Sequence, residues 1–149
     1  MAMLISRSTL FLTGVLSALL AANALAAPQT MTLMLSGANE VPAIQAPGKG
    51  TAVLTYDPTT YELSWTLEFS DLTGAATMAH FHGPAMPGKN APPILWMVPK
   101  GVAPVSPVKG SAILTPEQAK EFTSGVWYVN VHTPNNPSGE IRGLIPPMK

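Results

Sequence analysis

The chain has 149 residues, with 8 Lys plus Arg against 8 Asp plus Glu, three His, 16 Pro and no Cys. That length fits one domain, and a balanced charge with only 11% charged residues lacks the basic face of a nucleic-acid binder. The missing cysteines exclude disulfides, thiol nucleophiles and cysteine-based zinc or iron–sulfur sites, while proline at about twice its average usage opposes long helices.

Residues 1–26 read as an address. Arg7 is the only charge before Glu40, an apolar run from Leu10 to Leu20 follows it, and Ala24-Leu25-Ala26 supplies a small-x-small cleavage pattern, which together mark a secretory signal peptide. The run is shorter than the roughly 20 residues a membrane span needs. Cleavage after Ala26 leaves residues 27–149 as a single domain with no membrane span. Without cysteine, and with no Asn-x-Ser/Thr acceptor (Asn136-Pro137-Ser138 has proline in the middle), the expected location is a bacterial periplasm or the exterior.

The domain then alternates apolar and polar residues with the period of two that marks half-buried strands. In chain order the predicted strands are Gln29–Leu35, Gly50–Tyr56, Glu62–Phe69, Ala75–His82, Ile94–Val98, Lys109–Leu114, Val126–His132 and Glu140–Ile145. The clearest is Glu62–Phe69, with Leu63, Trp65, Leu67 and Phe69 on one face. One short helix is expected after Leu114. There Thr115 is the N-cap, Pro116 the first helical residue, Gln118 completes a capping box, and Gly125 is the stop. The segment 84–107 holds seven prolines, so its loops should be stiff. Short strands separated by turn residues predict an all-β protein, an antiparallel immunoglobulin-like or Greek-key β-sandwich or barrel.

The histidines fall in two of these strands. Strand alternation puts His80 and His82 on one face together with Met78, and Ala79 and Phe81 on the other. The strands Val126–His132 and Glu140–Ile145 look like a hairpin. A symmetric register sets His132 opposite Glu140, Asn130 opposite Arg142 and Tyr128 opposite Leu144. One face then carries Tyr128, Asn130, His132, Glu140 and Arg142, and the other Val129, Val131, Ile141 and Ile145.

The blocks Leu35–Pro42 (LSGANEVP), Ala79–Ala85 (AHFHGPA), Tyr128–Thr133 (YVNVHT) and Pro137–Gly143 (PSGEIRG) resemble the hallmark segments of the CHRD domain, a family named for chordin and found in exported bacterial proteins. The resemblance runs from about Met31 to Ile145. It implies an immunoglobulin-like β-sandwich or barrel, an extracytoplasmic location and no established catalytic activity. A weaker similarity links the His-x-His strand to copper/zinc superoxide dismutases. Three histidines cannot supply both a copper and a zinc site, and there is no cysteine pair, which excludes a dinuclear dismutase.

Three functional readings follow. His80, His82 and His132 are candidate metal ligands, with Glu140 as a carboxylate orienting His132 or a weak ligand; in the alternative, His80 and His82 hydrogen-bond loop backbone, and Glu140 and Arg142 form a fixed polar cluster with Asn39 and Glu40, beside Asn130 on the same face. Imidazole suits copper and zinc, and the thioethers of Met78 and Met86 favour copper. Alternatively, the domain is a non-catalytic binding or structural module for an extracytoplasmic protein or surface partner, contacted through an apolar patch around Trp96 and Met97. The enzyme reading has acid/base groups in Glu40, Glu140 and His132 but no nucleophile elbow, phosphate loop or paired-acid spacing. The sequence therefore points to an exported, non-catalytic CHRD-type module with a histidine-centred copper site, a copper-only dismutase-like redox protein being the alternative.

Overall fold

The computed structural model describes residues 26–148, so the predicted signal peptide, apart from its last residue, lies outside the described residues. The strands are β1 (Gln29–Ser36), β2 (Lys49–Asp57), β3 (Glu62–Ser70), β4 (Met78–His82), β5 (Pro93–Trp96), β6 (Val108–Ile113), β7 (Tyr128–His132) and β8 (Ile141–Leu144). A helix, α1 (Pro116–Thr123), joins β6 to β7. All eight predicted strands are present with modest shifts at their ends. The largest is at β4, expected from Ala75 but starting at Met78. Its lead-in is held instead by loop contacts, with Thr73 bonded to Glu140 and the Thr77 amide to the His132 carbonyl. The predicted capping box closes α1: the Gln118 amide donates to Thr115 Oγ1 at 3.2 Å and the Thr115 amide to Gln118 Oε1 at 2.9 Å.

The strands form one eight-stranded sheet in the order β5-β4-β7-β8-β1-β2-β3-β6, with every pairing antiparallel. The sheet is curled. Strands β3 and β4 stand five places apart in that order, which in a flat sheet is about 24 Å, yet the rings of Trp65 and Phe81 meet edge-on with centroids 5.4 Å apart. The inward residues predicted by alternation line this concave side. They include Leu33 and Leu35, Ala52 and Leu54, Leu63, Trp65 and Leu67, Ala79 and Phe81, Val129 and Val131, and Ile141, all buried. Phe122 of α1 packs against Tyr56 and Trp127. Burial of this apolar surface is the main driving force for closing the sheet.

On β4, β7 and β8 the face turned away from the core is buried as well, which an exposed antiparallel sheet does not require. His80, His82, Tyr128, Asn130, His132 and Arg142 all lie on it and all are buried. The cover consists of segments 37–48 and 83–92. Asn90 Nδ2 donates to the Val41 carbonyl at 2.8 Å, and Arg142 Nη1 to the Lys89 carbonyl at 3.4 Å. The apolar patch expected around Trp96 and Met97 is largely covered. Met97 is 3% exposed and Trp96 is half-buried, because β5 pairs with β4 and turns Trp96 toward His80. The exposed apolar side chains of that segment are Val102 and Val105.

Candidate metal centre

The site grows out of strand pairing. The β4–β7 register sets Met78 against His132, His80 against Asn130 and His82 against Tyr128. The β7–β8 register sets Asn130 against Arg142 and Tyr128 against Leu144, as the symmetric hairpin predicts. Alternation then lifts all three imidazoles to one side of the sheet, where each offers one nitrogen and these nitrogens lie within 4.8 Å of one another.

Two backbone carbonyls fix the rings. His82 Nδ1 donates to the Ala91 carbonyl at 2.9 Å, and His132 Nδ1 to the Pro137 carbonyl at 2.9 Å. Each bond leaves the Nε2 of that ring as a lone pair. His80 Nδ1 sits 3.2 Å from His132 Nε2 and donates to it in the metal-free protein, so His80 Nε2 also carries a lone pair. Among the described residues, the buried side-chain polar atoms without a partner are His80 Nε2, His82 Nε2, Asn130 Oδ1 and Trp65 Nε1. The first three belong to this face and are acceptors. Unpaired buried acceptors are costly, and a cation satisfies several at once.

Aromatic rings close the site. Trp96 stands edge-on to His80 with centroids 4.1 Å apart. Tyr128 stacks on His82 at 4.8 Å with an interplanar angle of 6°. The Arg142 guanidinium lies over the Tyr128 ring at 4.0 Å. Burial is the largest cause that pushes the His80 and His82 imidazoles down to about 4. For His80 the charges of His132 and His82 add to it, and for His82 the Arg142 and His132 charges act against the Ala91 hydrogen bond. Burial likewise lowers His132, with Arg142 acting in the same direction against the Pro137 hydrogen bond. All three rings are therefore neutral near pH 7, the form that ligates metals.

The predicted polar cluster divides into two. Arg142 Nη2 and Glu40 Oε2 form a buried ion pair at 3.0 Å, Asn130 Nδ2 donates to Glu40 Oε1 at 2.6 Å, and Asn39 Nδ2 donates to the Arg142 carbonyl. Burial pushes the Glu40 carboxyl up although Arg142 opposes it. Glu140 is not part of this group, nor does its carboxylate orient His132 directly. Its oxygens accept from the Thr73 amide (2.7 Å), Thr73 Oγ1 (2.6 Å), Thr133 Oγ1 (2.6 Å) and Asn136 Nδ2 (3.0 Å). Burial alone would raise the Glu140 carboxyl, but these bonds outweigh it and hold it below the usual range. Met78 is half-buried beside His132, whereas Met86 is 71% exposed on the covering loop. Sequence reasoning placed Tyr128 on the imidazole face and allowed loop-backbone partners for His80 and His82, but it did not single out the carbonyls of Ala91 and Pro137 or the ring of Trp96 as parts of the site. Backbone acceptors leave no side-chain signature, but the two aromatics flank the histidines in the strand register.

An antiparallel β module, curled on itself and carrying buried neutral imidazoles on its covered outer face, is the class that fold and site define. The family model for the CHRD domain matches residues 31–145, and the chain belongs to that family. CHRD domains are typically extracellular, and membership supports a binding or structural module. No curated protein and no solved structure matches the chain. No helix among the described residues is long and apolar enough to cross a membrane.

Proposed function

We propose that this CHRD-domain protein is an exported, extracytoplasmic binding module that holds one copper ion on His80, His82 and His132 and has no turnover of its own. The observation that carries the reading is the meeting of three buried, neutral imidazoles from β4 and β7, with the Nε2 atoms of His80 and His82 left unpaired. Two nitrogens bound to one ion at about 2.0–2.1 Å in a tetrahedral arrangement lie about 3.3–3.4 Å apart. Two ligands of one ion cannot stand more than about 4.2 Å apart, so a pair as wide as 4.8 Å would draw in by roughly half an ångström.

Copper is favoured over zinc by the thioether of Met78 beside His132, a soft donor that suits Cu(I). The partner of such a module is an extracytoplasmic protein or surface. Purified mature protein should take up about one equivalent of copper, and His80→Ala or His132→Ala should abolish uptake. A titration without saturable uptake overturns the reading. Loss of superoxide catalysed by the loaded protein and absent in His80→Ala would replace the non-catalytic reading with the copper-only dismutase-like one.

A further inference from the structure

We propose that Glu140 is a positioning residue of the metal site, setting His132 through the loop that follows β7. The role presupposes the metal binding proposed above.

Glu140 is fully buried, and a carboxylate in that position needs a full set of donors. Thr133 and Asn136 supply two of them from the loop immediately after His132, and Thr73 supplies two more from the segment that leads into β4. One carboxylate thus ties the exit of the His132 strand to the entry of the His80 and His82 strand.

The loop closes on itself around the same residues. Asn136 donates its amide to Thr133 Oγ1 at 3.1 Å, and the amides of Thr133 and Gly139 both donate to the Asn136 carbonyl. Asn135 Nδ2 adds a bond to the Thr73 carbonyl at 2.7 Å. Between Asn136 and Gly139 lies Pro137, whose carbonyl accepts from His132 Nδ1. That bond decides which ring nitrogen of His132 is free and where it points. Glu140 touches no imidazole, yet it holds the turn that presents the orienting carbonyl.

The test uses the mature protein with Cu(II) as probe, comparing wild type, Glu140→Gln and Thr133→Val. The amide of Glu140→Gln keeps the shape but sets a donor against donors. Thr133→Val removes one bond with little change of volume. Loss of partners that orient a ligand typically weakens metal affinity about 10–100-fold. Folded Glu140→Gln should therefore bind Cu(II) at least about tenfold more weakly, with altered electron paramagnetic resonance parameters, and Thr133→Val should move both in the same direction. A structural role alone would lower the melting temperature and leave the spectrum of the loaded protein unchanged.

Wild-type affinity and spectrum in folded Glu140→Gln overturn the proposal. If Glu140→Gln does not fold, the same result in Thr133→Val does so. Failure of the wild type to bind copper, or retention of binding by His80→Ala, overturns the metal reading and this role with it. Binding that needs the histidines but ignores Glu140 and Thr133 overturns only the role of Glu140.

Discussion

His80 on β4 and His132 on β7 stand diagonally across a strand pair, with Nδ1 and Nε2 3.2 Å apart. Neither ring can gain a proton without placing a positive charge in a buried, desolvated position. The titration of the metal-free protein follows from this. His80 and His82 titrate near 4 in the folded chain and near 6.5 when unfolded. The unfolded state therefore binds more protons between these values. The stability contributed by the neutral rings is complete above about pH 6.5 and is lost as pH falls toward 4, by up to about 3 kcal/mol for each imidazole. Urea denaturation at pH 7.5, 6, 5 and 4 measures this. Stability independent of pH over that range contradicts it.

The ion pair of Arg142 and Glu40 gives a second prediction. Both side chains are buried, and Arg142 also donates to Asn90 Oδ1 and the Lys89 carbonyl while stacking on Tyr128. Arg142→Met keeps much of the apolar stem and removes the charge, leaving Glu40 unpaired. Breaking a buried pair from one side costs about 3–5 kcal/mol. The variant should unfold at markedly lower denaturant concentration than wild type. A change below about 1 kcal/mol, the usual range of exposed pairs, would contradict it.

Gly139 is tested by a single methyl group. Its φ is +131°, a region that costs a residue with a Cβ about 1–3 kcal/mol. A Cβ there would also run into the Asn130 amide and Glu40 Oε1. Gly139→Ala should destabilise the protein by at least about 2 kcal/mol and weaken copper uptake by displacing Asn130. Denaturation and metal titration on the same sample check both effects.

Trp96 is a built-in reporter. Its ring centroid lies 4.1 Å from that of His80, so paramagnetic Cu(II) held by the imidazoles should quench its fluorescence in step with uptake. Trp96→Phe should remove most of the quenching and leave the stoichiometry unchanged. Equal quenching in wild type and Trp96→Phe would place the ion elsewhere.

The sequence carried the strands because alternation is a local property. Leu63, Trp65 and Leu67 declare their shared face without any knowledge of the neighbouring strands, and Thr115-Pro116 with Gln118 declares a helix start. The imidazole face was legible for the same reason, since His80 and His82 are two residues apart and the Thr133–Gly139 connection implied the β7–β8 register. The partners of the Glu140 carboxylate were not legible, for a physical reason. Being opposite His132 in the register does not settle where a flexible carboxylate turns, and Thr73, remote in the chain, took it. The burial of Met97 was equally hidden, because it depends on β5 pairing with β4.

The sequence by itself determined an all-β CHRD-type domain with its three histidines on two strands, because side-chain alternation and turn chemistry act over a few residues. Tertiary structure alone decided that β4 and β7 lie side by side, that segments 37–48 and 83–92 cover the outer face, and that the carbonyls of Ala91 and Pro137 aim the rings. Those outcomes depend on which distant segments meet when the sheet curls to bury its apolar side, and no local pattern encodes that meeting.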